Sequence, residues 1–75
     1  MYAIHVIVTY VTNDGWEGVR PLPTFYLDET VQGILNSDGA IKVARRILSW
    51  ENLVDDLPDL RTYEINISAE KVSRL

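Results

Sequence analysis

Apolar and polar positions alternate most clearly at the start of the chain. Over Tyr2–Thr12, Tyr2, Ile4, Val6, Val8 and Tyr10 share one face of an extended strand, and Ala3, His5, Ile7, Thr9 and Val11 share the other. β-Branched and aromatic residues dominate both sides, so the strand belongs in the middle of a sheet with something covering each face. Asn13–Gly18, NDGWEG, carries the Asn, Asp and Gly that a reversing turn needs. A second strand follows. Pro21 and Pro23 lack the N–H of a central ladder, which makes it an edge strand or delays its regular part until Thr24–Leu27. Phe25 and Leu27 are expected to face the core there, with Thr24 and Tyr26 opposite.

From Asp28 to Asn36 the two-residue period is lost. Gly33 permits a turn other residues resist, and Val31, Ile34 and Leu35 are expected to tuck under as a lid on the core edge, with Gln32 serving nearby backbone groups. A three-to-four spacing then takes over. Ala40, Ile41, Val43, Ala44, Ile47 and Leu48 form one stripe of a helix predicted over Asp38–Trp50, capped by Ser37 or Asp38. Lys42, Arg45 and Arg46 fall on its other side. After an acidic connection, Glu51–Leu60, the last strand is predicted over Arg61–Ser68. Tyr63, Ile65 and Ile67 point to the core, and the tail from Ala69 is expected to fray.

The pattern specifies one α+β domain spanning residues 1–75, in the order β-β-α-β. The sheet order is 2-1-3, with the first strand central and the one helix on one face. The helix can cover only one face, so His5, Ile7 and Val11, or the opposite set, remain on a second face. A homodimer, formed by sheet faces or by an edge strand, would cover it; long polar side chains and the tail covering it within a monomer are the alternative.

Composition narrows the function. A 75-residue chain buries only about 60% of its unfolded surface, so its core is small. There is no cysteine for a disulfide or thiolate site, which fits a reducing compartment. No apolar run is long enough to span a bilayer, and YAIHVIVTYV reads as a strand rather than a signal peptide. Seven basic against eleven acidic residues give a net charge of −4, which opposes broad nucleic-acid binding.

Catalytic groups are sparse. His5 is the one histidine and has no partner near it in sequence, so a packed or interface role is expected. No glycine run cradles phosphate and no serine stands in a nucleophile elbow. Asp28 and Glu29 open one loop, and Asp55, Asp56 and Asp59 cluster in another at spacings that match no calcium loop. We therefore expect no enzyme activity, cofactor or metal. The basic set Lys42, Arg45 and Arg46, extended by Arg20 or Arg61 and with Trp16 and Trp50 for stacking, is the feature that points to nucleic acid. Trp16 at the hairpin tip and Trp50 at the helix end also suit protein recognition, in which Trp and Arg anchor interfaces. Packing under the acidic loop is the structural alternative for Trp50.

The phrase PTFYLDETVQGI followed by DGAIKVARRIL resembles a pattern in small uncharacterised proteins of mycobacteriophages and related actinobacterial phages. The matching positions are Pro23–Leu27, Asp28, Val31–Ile34, Ala40, Val43, Ala44, Ile47 and Leu48; Val31, Gln32 and Gly33 are the distinctive ones. The resemblance implies a phage accessory protein in the cytoplasm of a bacterial host, and it implies no activity. Together with the missing catalytic groups, it suggests binding to a host protein. The alternative is a nucleic-acid or nucleotide-binding protein, including one that inhibits bacterial defence.

Overall fold

The structure is a computed structural model that describes residues 1–48, 53–57 and 59–73. The predicted central strand is β1, Tyr2–Thr12, and every other strand pairs with it antiparallel. One edge of β1 is shared by β2, Glu17–Pro21, opposite Ile7–Val11, and by β3, Phe25–Leu27, opposite Tyr2–Ile4. The other edge carries β4, Leu60–Lys71, along its whole length. The predicted 2-1-3 order is therefore present, with the second ribbon broken into two short strands.

Hydrogen-bond parity explains how Pro21 sits in that ribbon, and Pro23 falls between the two short strands. Leu22 N donates to Val6 O and Thr12 N to Trp16 O, so the even-numbered residues of β1 turn their backbone groups toward β2. Pro21 stands opposite the odd-numbered Ile7, where the ladder asks for no N–H.

The expected lid is instead a one-turn helix, α1, Glu29–Gln32. Asp28 caps it, its Oδ1 accepting from Thr30 N at 2.9 Å, and Gly33 ends it in the left-handed region at φ 66°. That turn buries Ile34 but leaves Val31 and Leu35 in solvent, Leu35 at 93% exposure. The expectation for those two residues was wrong: local capping, rather than hydrophobic content, sets the path of this segment. The Gln32 N–H simply bonds the Asp28 carbonyl.

The long helix, α2, is Ser37–Leu48. Its cap is Asn36 rather than Ser37 or Asp38: Asn36 Oδ1 accepts from Gly39 N at 2.9 Å, and Ala40 N bonds Asn36 O. Ala40, Ala44 and Leu48 are buried against the sheet, and Ala40 and Ala44 lack the bulk that would hold α2 away from β1 and β4. The core joins this stripe to Tyr2, Ile4, Val6, Leu27 and Ile34, with Phe25, Ile65, Ile67 and Ala69 packed around it. Tyr63 departs from expectation. It shares the core side of β4 but is 54% exposed, while Leu48 of α2 lies beside Ile65 and Ile67.

The tail is not frayed at Ala69. Ala69, Glu70 and Lys71 pair with Ile4, Ala3 and Tyr2, and Val72 N donates to Met1 O at 2.9 Å. The strand continues because every residue of β1 down to Tyr2 offers it a partner.

Candidate interaction surfaces

Among the described residues, the hairpin tip, the outer face of α2 and the sheet face away from α2 carry exposed chemistry. At the tip, the β1–β2 turn places Trp16 in solvent at 73% exposure. Its backbone is fixed there, with Trp16 N donating to Thr12 Oγ1 at 3.1 Å and Gly15 at φ 89° closing the turn. Trp50 lies outside the described residues.

Lys42, Arg45 and Arg46 are exposed on α2, at spacings that make them neighbours on the helix surface. The other two candidate cations do not join them. Arg20, reaching from β2, forms a two-pronged pair with Asp56 and also donates to Leu53 O at 3.2 Å. The hydrogen bond between Arg20 and Asp56 holds the Asp56 carboxyl below its usual range and raises Arg20 above its own. Arg61 donates to Asn13 O at 2.8 Å, stitching the start of β4 to the hairpin.

The candidate acids Asp28, Asp56 and Asp59 are likewise in structural roles, the last through its backbone. Asp28 caps α1, Asp56 holds Arg20, and Asp59 adopts φ 46° while its carbonyl accepts from Asn13 N. Among the described residues no group of three His, Asp or Glu side chains is arranged to hold a metal ion.

The sheet face away from α2 is laid out by register. Tyr26, Ala3 and Glu70 form one cross-strand row, His5 and Ser68 the next, then Pro21, Ile7 and Asn66, then Val19, Thr9 and Glu64. Ile7 is 43% exposed, Tyr26 58% and Val19 65%. No described segment of the chain packs over them.

His5 does have partners, both remote in sequence. Its Nδ1 lies 3.1 Å from Thr24 Oγ1 and its Nε2 3.6 Å from Glu70 Oε2. Hydroxyl, imidazole and carboxylate thus line up in the order of a hydrolase relay. The His5 and Glu70 side chains are 44% and 70% exposed, however, so water screens the pair, and the contacts serve mainly to tie β1 to the β2–β3 link and to β4. The residues gave no advance sign of this group, since Glu70 lay in the segment expected to fray.

No helix of the described residues is long and apolar enough to cross a membrane. The chain matches no protein-family model, no curated protein and no solved structure.

Proposed function

We propose that this chain is a small protein-binding module that self-associates through its open sheet face, and that it serves as a phage accessory protein acting on a factor of its bacterial host. The observation that carries the binding role is the uncovered face: Ile7, Val19 and Tyr26 stand exposed on an antiparallel surface with Pro21 between them. A second copy laid on that surface would supply the layer that α2 supplies on the other side, adding to a core that is small for an independent domain. The phage and host parts of the reading rest on the PTFYLDETVQGI resemblance alone, and the absence of enzymatic activity is likewise a proposal.

Trp16 is the second contact point. It is held on a fixed turn away from the core, so it can meet a partner without disturbing the fold. Nucleic acid is the weaker reading. Lys42, Arg45 and Arg46 are exposed together on α2, but Arg20 and Arg61 are engaged elsewhere, and three cations on a chain of charge −4 give a shallow electrostatic footprint.

The test is the mass in solution. Sedimentation equilibrium should give a dimer for the wild type and a monomer for Ile7→Glu, with unchanged circular dichroism. A monomeric wild type at high micromolar concentration would remove self-association. If a mixed oligonucleotide bound with steep salt dependence, and Lys42→Ala/Arg45→Ala/Arg46→Ala abolished that binding, the nucleic-acid reading would take its place.

A further inference from the structure

The outer edge of β4 is a second unpaired feature, and its chemistry is more specific. Val72 N bonds Met1 O, so the same parity runs down the β1–β4 ladder. Even-numbered residues Thr62, Glu64, Asn66, Ser68 and Glu70 turn their backbone groups to β1. Tyr63, Ile65, Ile67 and Ala69 therefore aim N–H and C=O away from the sheet, and among the described residues no strand meets them. From Thr62 to Lys71 this edge has no proline and no bulge, two of the devices that block pairing, and its charges are confined to Glu64, Glu70 and Lys71. Beside it, on the α2 side, Leu48, Ile65 and Ile67 line a groove of about 160 Å³ with Arg45 at its wall. An engineered apolar cavity of ~150 Å³ accepts a benzene molecule, so the groove has room for one aliphatic side chain.

We infer that this edge receives an extended segment of another protein as an added strand, and that the segment carries acidic and aliphatic side chains on the side facing α2. The backbone ladder supplies the mode of binding and the groove takes an aliphatic group. Arg45, with Lys42 one turn before it on the same stripe of α2, selects acid. A second copy of this chain fits the edge poorly. Its own β4 would bring Lys71 and no acid to the α2 side. The inference rests on the protein-binding reading but uses a different surface from the open face.

The test uses a fluorescent heptapeptide, Glu-Thr-Val-Thr-Val-Thr-Glu, in which Glu and Val share one side of the strand, and its Lys-for-Glu twin, read by anisotropy on the full chain. The Glu peptide should bind more tightly than its twin and weaken with salt. Arg45→Glu should cost about tenfold and reverse the preference between peptides, with Arg45→Gln intermediate. N-methylation of the peptide on alternate amides should abolish binding in one parity and spare it in the other. Ile7→Glu should leave peptide affinity unchanged. Equal binding of the two peptides, no binding, or indifference to N-methylation in both parities would overturn the proposal. Loss of peptide binding in a chain that still dimerises through Ile7 would sink the edge and leave the open face standing. Concentration-dependent protection of the Ile65 and Ile67 amides in Ile7→Glu would assign the edge to a second copy, and would also overturn it.

Discussion

Arg20 holds Asp56 through both terminal nitrogens, Nη1 to Oδ1 at 2.7 Å and Nη2 to Oδ2 at 3.0 Å, and so ties β2 to the acidic connection that leads into β4. The pair joins residues 36 apart in sequence and needs Arg rather than Lys, because only a guanidinium offers two parallel donors.

The pair gives stability an acid limb. Asp56 titrates below its ordinary value in the folded protein, chiefly because Arg20 donates to it, and at the ordinary value when unfolded. Its contribution is therefore complete above the unfolded carboxylate range, about pH 4, and is lost as pH falls through the lower folded value. Arg20 is raised, and stays charged throughout that window. Urea melts of wild type and Asp56→Asn should differ at pH 7 and converge at low pH. A gap that persists undiminished at the acid end would show that the carboxylate is not the source. Arg20→Lys should recover only part of the pH 7 stability.

A second expectation concerns a close approach. Gly18 pairs with Tyr10 across β1 and β2, and a Cβ on Gly18 would fall 2.1 Å from Cζ of the Tyr10 ring. The ring lies over the glycine and covers backbone that no side chain shields. Gly18→Ala must push the outer end of this half-buried ring aside and should cost no more than about 1 kcal/mol in chemical denaturation. Tyr10→Ala removes the obstacle, so the double substitution should cost clearly less than the sum of the two single ones. Additive losses would mean that ring and glycine do not interact.

These contacts mark the boundary of what the residues announce by themselves. The alternation of Tyr2–Thr12 and the Ala40–Ala44–Leu48 stripe each follow from one dominant period, and both elements stand where that period puts them. Thr24, His5 and Glu70 meet only because two strand registers bring them together, and register is invisible until the strands are paired. The Glu29–Gln32 turn was misread for another reason. Val31 and Leu35 have the hydrophobicity of core residues, but Asp28 and Gly33 cap a single turn around them, and only Ile34 is carried inward. Of the candidate contacts, the exposure of Trp16 was legible from the turn chemistry around it. The diversion of Arg20 and Arg61 was not, since Asp56 and Asn13 are distant in sequence.

Capping supplies a third measurable effect. Asn36→Ala removes the acceptor for Gly39 N and should cost about 1 kcal/mol, with Asn36→Asp or Asn36→Ser restoring most of it. If Asn36→Ala were neutral and Ser37→Ala costly, the helix would start one residue later than described. Gly33→Ala should also cost about 1 kcal/mol, from backbone strain at φ 66° alone, because nothing lies within 4 Å of the added Cβ. Gly33→Asn should be milder, since Asn tolerates the left-handed region.

Amide exchange reads the β4 edge residue by residue. The parity set by Val72 N to Met1 O makes a sharp distinction along one strand. In the isolated chain the amides of Thr62, Glu64, Asn66, Ser68 and Glu70 should be slow, each bonded to β1, while those of Tyr63, Ile65, Ile67 and Ala69 should exchange far faster in the same segment. Burial alone predicts the reverse, because the side chains of Ile65, Ile67 and Ala69 are the ones that pack on the core. The alternation therefore separates backbone pairing from side-chain shielding. Uniform protection across Thr62–Glu70 at low micromolar concentration would mean that something already lies along the edge, and protection concentrated at Ile65 and Ile67 would place the strand one residue out of register.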